Sequence, residues 1–161
     1  MKYCPKCKAP ITEQPVEGLT RQACSNRLCD FVFWNNPLPV VAVLIEYQQR
    51  ILLARNQQWP ASMFSLITGF VECREDPATA AVRETQEELG LQLDQPSLIG
   101  VYNWPQMNQL IVAYSGKADG EWCLSAEIAQ VKLIEPAKLR SWDFGVGPAV
   151  RDYLNARQST N

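Results

Sequence analysis

The chain has 161 residues, 47% of them hydrophobic and 20% charged, with a net charge of −2 and a pI near 5.2. That length allows one ordinary packed domain with a small added module. The acidic balance excludes a protein that binds nucleic acid through its overall charge, and no apolar run is long enough to span a membrane.

Cysteines dominate the N-terminal region. Cys4-Pro5-Lys6-Cys7 is a tight C-x2-C knuckle, and Cys24 and Cys29 form a C-x4-C pair sixteen residues further on. The chain contains no histidine, so Cys4, Cys7, Cys24 and Cys29 make the obvious complete tetrahedral set for Zn²⁺. Four protein ligands close the coordination sphere, which makes such a zinc structural. Two disulfides are the competing reading. Residues 1–20 carry no long apolar segment of the secretory kind, so a cytoplasmic location is expected, and reduced thiols there favour zinc. A zinc ribbon is therefore expected over residues 1–34. Its first thirty residues hold Lys2, Lys6, Lys8, Arg21 and Arg27 against Glu13, Glu17 and Asp30, a net of +2. Such a surface could touch RNA or a protein, pack on the following domain, or support a homodimer. Cys73 and Cys123 each stand alone in sequence and read as packing residues or chance, with a redox-sensitive Cys73 near the metals as the alternative.

Pro37 and Pro39 mark a junction, and residues 35–161 read as the main domain. Val40 to Glu46 is apolar and β-branched, the pattern of a buried strand. Tyr47 to Arg50 is a polar turn, and Ile51 to Arg55 the returning strand of a hairpin. Asn56 to Ser62, with Trp59-Pro60, reads as a loop, Met63 to Ile67 as a short strand, and Thr68-Gly69 as the loop after it. Asp76 can cap a helix whose first turn accepts Pro77. Ala78, Ala81, Val82, Thr85 and Leu89 give that helix an apolar stripe, and Gly90 supplies its left-handed stop. Further strands are predicted at Ser97 to Trp104, Leu110 to Ser115 and Glu127 to Glu135, with a turn at Lys117 to Glu121. A last helix is predicted from Pro148 to Ala156. Strands and helices interleaved in this way suggest a mixed sheet between helices.

The helix after Asp76 carries the chemistry. Glu84, Glu87 and Glu88 stand at i, i+3 and i+4, so they project from one helical face within roughly 100°. Like charges there repel, and a hard cation such as Mg²⁺ or Mn²⁺ converts the repulsion into binding. Arg83 precedes Glu87 by four residues and can hold that carboxylate. The bland alternative is a solvated acidic face on an ordinary amphipathic helix.

The whole stretch from Gly69 to Leu91 resembles the Nudix box, G-x5-E-x7-R-E-U-x-E-E-x-G-U, with U a bulky apolar residue. Gly69, Glu75, Arg83, Glu84, Glu87, Glu88, Gly90 and Leu91 fall in register, and Thr85 takes a position usually aliphatic. The resemblance implies an α/β fold, the Nudix α/β/α sandwich with a mixed sheet, preceded here by the ribbon. It implies a pyrophosphohydrolase that uses Mg²⁺ or Mn²⁺ on a nucleoside diphosphate linked to another group. Glu84 and Glu88 would be metal ligands, Glu87 a ligand or the group orienting the attacking water, and Thr68 a ligand through its carbonyl. Arg83 would be an orienting partner and Glu75 a supporting carboxylate. With no histidine available, a glutamate is the natural base.

A ribbon ahead of a Nudix domain resembles the NADH pyrophosphatase group. That group carries S-Q-P-W-P-F-P-x-S after the box; here Trp104-Pro105 and the strand after it match, while the Gln-Pro, Phe-Pro and closing Ser do not. A second, short group of ADP-ribose and FAD pyrophosphatases has a Tyr-x-Asn-Pro link similar to Trp34-Asn35-Asn36-Pro37. The substrate implied is thus an ADP-linked small nucleotide such as NADH, ADP-ribose or FAD, split to AMP and a second monophosphate. Trp34, Tyr102 and Trp104 are candidates to stack on a base or nicotinamide ring, each with core packing as the alternative. Glu127 falls where the NADH group places a late carboxylate ligand. A Nudix fold kept as a nucleotide sensor or RNA-associated regulator, or a hydrolase of NAD-capped RNA, are the alternatives to a small-molecule enzyme.

Overall fold

The computed structural model describes residues 1–159. The chain divides into two compact units, Met1–Asn36 and Pro37–Asn161. In the first unit, β1 (Ile11–Val16) and β2 (Leu19–Cys24) form an antiparallel hairpin, and β3 (Val32–Phe33) pairs with β2. Glu17 and Gly18, both at positive φ, make its two-residue turn. The strands are short and mostly exposed, with Cys4, Ala23 and Cys24 the buried apolar residues. Little apolar surface supports this unit, the regime in which small folds usually draw on a cross-link, a metal or a partner.

The second unit is built around β4 (Leu38–Tyr47), every residue of which from Val40 to Ile45 is buried. β4 pairs antiparallel with β5 (Arg50–Asn56) and with the short β6 (Ile67–Phe70). Along its other edge it pairs parallel with β8 (Gln109–Asp119), which runs antiparallel to the long edge strand β7 (Gln92–Trp104). β9 (Ile128–Ile134) closes the far edge on β5, giving the order β7-β8-β4-β5-β9. Helix α1 (Pro77–Leu89) lies in sequence between β6 and β7, and α2 (Gly147–Ser159) ends the fold.

Successive side chains of β4 serve opposite faces, as the pleat requires. Val43, Ile45 and Tyr47 join Ala81 and Leu89 of α1 in one cluster, with Leu52, Ile67 and Leu91. Ala42 and Leu44 join Ala149 and Val150 of α2 in the other, with Ile51, Ile111 and Leu139. Each fully buried Leu, Ile or Val contributes about 1.5–3 kcal/mol. The sheet is mixed and covered by a helix on each face, the α/β/α sandwich expected.

Three local expectations are corrected. The strand before α1 is Ile67–Phe70, so Thr68-Gly69 lie within it and pair with Val41 and Ala42, whereas Met63 to Leu66 form only an isolated bridge, Ser65 to Ala54. Backbone pairing to β4 outweighs the loop signal of Thr-Gly. β7 begins at Gln92, well before Ser97, because a register shift between Asp94 and Ser97 lets it pass Pro96 and stay paired to β8. The predicted turn at Lys117 is still strand; the chain bends at Gly120, φ +112°.

Candidate functional site

Helix α1 starts where Asp76 accepts from the N–H groups of Ala78 and Thr79, and it stops at Gly90, φ +70°, whose N–H donates to Gln86. These two ends fix which residues face β6. Ala80, Ala81, Thr85 and Leu89 are buried, and Thr85 Oγ1 donates to the Ala81 carbonyl at 2.8 Å. Ala80 was not in the predicted stripe; it lies four residues before Glu84, on the flank that closes against the sheet.

Arg83 is the hub of the acidic face. Its Nε and Nη2 donate to the two oxygens of Glu75, each at 2.9 Å, a bidentate fork. Nη1 donates to Glu84 at 2.7 Å and to Glu87 at 2.9 Å, and Nη2 also donates to the Phe70 carbonyl at 2.9 Å. Glu75 in turn accepts from the N–H of Glu72 at 3.0 Å. The guanidinium holds Glu75 well below the usual carboxylate range, and the three carboxylates raise Arg83. Sequence spacing had indicated only the Arg83–Glu87 pair; the fork to Glu75, eight residues away, depends on how the loop folds back.

Glu84 lies directly over Gly69 of β6. A Cβ at Gly69 would stand 1.8 Å from Glu84 Cδ, so any other residue there displaces the carboxylate. Burial pushes the Glu84 carboxyl up. Glu88 differs from its neighbours: among the described residues no arginine pairs with it. Burial, then the charges of Glu84, Glu127 and Glu87, push it up to about 7.

These residues converge on one cavity of about 660 Å³, lined by Thr68, Gly69, Arg83, Glu84, Glu87, Glu88 and Glu127 together with Trp104. The loop before β9 is drawn to α1 by the N–H groups of Cys123 and Ser125, which donate to the carbonyls of Leu89 and Glu88 at 2.8 and 3.0 Å. That contact carries Glu127 to the acidic face. Trp59, Met63, Phe70 and Met107 line the same cavity and were missed by sequence reasoning. A tryptophan in a polar loop, Trp59, was the available signal.

The other two aromatics lie elsewhere. The Tyr102 hydroxyl donates to Asp152 at 2.8 Å, tying β7 to α2, and burial with that carboxylate pushes it up to about 12. Trp34 belongs to the N-terminal unit, where the Arg21 guanidinium sits 4.8 Å over its ring.

The glutamates offer hard oxygen donors suited to Mg²⁺ or Mn²⁺. Glu84 and Glu87 are both turned onto Arg83, so among the described residues only the four cysteines form a compact metal-ready cluster. Cys4, Cys7, Cys24 and Cys29 place their sulfurs within 4.8 Å of one another, with Cys4–Cys29 at 3.7 Å and Cys7–Cys24 at 3.4 Å. A tetrahedral zinc with Zn–S of about 2.3 Å needs sulfurs about 3.8 Å apart. A disulfide needs about 2.05 Å. The N–H of Ala9 lowers the Cys7 thiol to about 7, while burial pushes Cys24 up to about 12. Four such sulfurs can hold one metal ion.

A NUDIX domain is matched over residues 36–153, and the chain belongs to that family. Among curated proteins it is similar to the NAD-capped RNA hydrolase NudC of Mycobacterium tuberculosis (strain ATCC 25618 / H37Rv), 36% identical over 105 residues, covering 63% of this chain and 34% of that protein. It is also similar to the NudC of Chromobacterium violaceum, 29% identical over 119 residues, covering 74% of this chain and 43% of that protein. The chain thus spans well under half the length of these curated relatives. Among solved structures, a NUDIX hydrolase from Nitrosomonas europaea superposes with a TM-score of 0.81 at 25% identity, over 99% of this chain and 93% of that one. No helix among the described residues is long and apolar enough to cross a membrane.

Proposed function

We propose that the protein is a Mg²⁺- or Mn²⁺-dependent pyrophosphohydrolase that splits the diphosphate of an ADP-linked nucleotide, releasing AMP and a second monophosphate. The observation that carries this reading is the convergence of Glu84, Glu87, Glu88, Glu127 and Thr68 on one cavity that Trp104 also lines. Glu84, Glu87, Glu88, Glu127 and the Thr68 carbonyl would hold the cations. A bound divalent ion neutralises charge on the phosphoryl oxygens and lowers the pKa of water. Arg83 keeps Glu84 and Glu87 oriented until a cation competes for them, and Glu75 anchors Arg83. Glu87, exposed and held by Arg83 at 2.9 Å, is a cation ligand or the group that orients the attacking water. Trp104 gives a ring of the substrate an aromatic surface.

The substrate is of the NADH, ADP-ribose or FAD type, and the likeness to NAD-capped RNA hydrolases favours NAD-capped RNA as a second substrate with the same diphosphate. Cys4, Cys7, Cys24 and Cys29 hold a structural zinc, and unpaired thiols of this kind suit the reducing cytoplasm. Chromatography of NADH, ADP-ribose, FAD and NAD-capped RNA after incubation with Mg²⁺ or Mn²⁺ tests the proposal, with Glu84→Gln as control. AMP, or RNA left with a 5′-monophosphate, is the expected product and must vanish in the variant. No cleavage under either metal would leave the sensor reading in its place.

A further inference from the structure

A second cavity, of about 760 Å³, lies in the same unit and shares no lining residue with the acidic one. Its floor is apolar, from Leu139 and Leu154, and its charged residues are Arg140, Arg151, Arg157 and Glu46. Three guanidiniums against one carboxylate leave it positive in a chain whose net charge is −2. The geometry points to a binding site for a phosphate-bearing nucleotide, distinct from the hydrolytic cavity.

The placement of the arginines supports it. Arg151, Leu154, Asn155 and Gln158 stand at i, i+3, i+4 and i+7 of α2, so one helical face is turned to this groove. Arg140 is fixed from the opposite wall, its Nη1 donating to the carbonyls of Ala137 and Leu139 at 2.9 and 3.0 Å. No carboxylate pairs with Arg140 among the described residues. The ion pairs of the other two are long: Arg151 to Asp152 at 3.6 Å, and Arg157 to Glu46 at 3.5 Å. Asp152 is moreover shared with the Tyr102 hydroxyl. Arg157 Nη1 also donates to the Tyr153 hydroxyl at 3.1 Å. Guanidinium forks suit phosphate oxygens: Arg151 has only its long ion pair to give up, while Arg140, whose bonds to the loop use Nη1 alone, can present Nε and Nη2 without leaving its carbonyls. Asn155 and Gln158 line the same cavity and add amide donors and acceptors of the kind that read a base edge, with Leu139 and Leu154 as apolar lining for its face.

The phosphate can come from a free mononucleotide or from one nucleotide of an RNA chain. The test uses the full chain carrying Glu84→Gln, titrated with AMP and with a five-nucleotide RNA bearing a 5′-phosphate, each followed by hydrogen–deuterium exchange. Protection of residues 136–141 and 151–158 is expected, with affinity falling as salt rises. Arg151→Glu should weaken binding at least tenfold. Arg140→Ala should do the same, but it also loosens the loop it ties, so Arg151, exposed on α2, gives the cleaner readout. Tighter binding of RNA than of AMP at these segments assigns the phosphate to a chain, and equal binding assigns it to a free nucleotide. Protection confined to residues 67–88, or unchanged affinity in Arg151→Glu, overturns the proposal.

Discussion

At the scale of single residues, two positions of the acidic face make separable predictions. Gly69 is required because Glu84 occupies the space of its missing Cβ. Gly69→Ala should leave the fold intact and shift Glu84 by more than 1 Å, lowering kcat about 10²-fold, the scale of a misplaced catalytic group. Activity equal to the parent would show that Glu84 can move without consequence. Glu88 is pushed up to about 7 in the folded chain, against 4.5 for the free group. Between these values the metal-free folded state binds the extra proton. The associated stability is therefore complete below pH 4.5 and is lost as pH rises through 7. Thermal melts of metal-free protein should fall across that window. Glu75 and Asp76, both held low, titrate beneath it. Glu84, also pushed up by burial, adds to the fall in the same direction, so Glu88→Gln should reduce the fall and leave the Glu84 part in place. The box residues were legible because their spacing is fixed by a helix. Trp59 and the Arg83–Glu75 fork were not, since loops 57–62 and 71–76 set them and no periodicity reports a loop's path.

At the scale of elements, α1 was legible to its caps, because Asp76, Pro77 and Gly90 each act through the backbone within one turn. β6 and β7 were less so. β6 is four residues long and gains its pairing only from β4, a partner distant in sequence. β7 passes a proline through a register shift that its hydrophobic pattern does not reveal. Thr85 shows how a departure from a family pattern can be absorbed. It is fully buried, and its hydroxyl spends its hydrogen bond on the Ala81 carbonyl of its own helix. That carbonyl also stands at i−4 to the Thr85 N–H, so removing the hydroxyl strands no partner. Thr85→Val should then stabilise the domain by about 0.5–1 kcal/mol, through loss of a buried polar group at constant shape. Denaturant melts would check the sign; a clear loss of stability would mean the hydroxyl holds the helix against β6.

At the scale of the whole molecule, the two units depend on different forces. Pro37–Asn161 has two apolar clusters that enclose the sheet from both faces. Met1–Asn36 has three short strands and a handful of buried residues, gathered around Cys4, Cys7, Cys24 and Cys29. The cysteine spacing made that cluster legible in sequence, although it left zinc and disulfides both open; sulfur separations of 3.4 and 3.7 Å match a tetrahedral edge and exceed a disulfide bond. One zinc per chain is expected by elemental analysis. On the proposed zinc reading, a unit this small folds with its metal, and binding and folding are then one event. Strong chelation should release the zinc and unfold Met1–Asn36 while the sandwich keeps its melting transition. Hydrogen exchange resolves the two, because protection should collapse in residues 11–33 and persist in residues 40–54. Cys24→Ser should reproduce the chelated pattern without chelator. If residues 11–33 stay protected in the metal-free protein, the ribbon stands on its apolar contacts alone and the cysteines have another use.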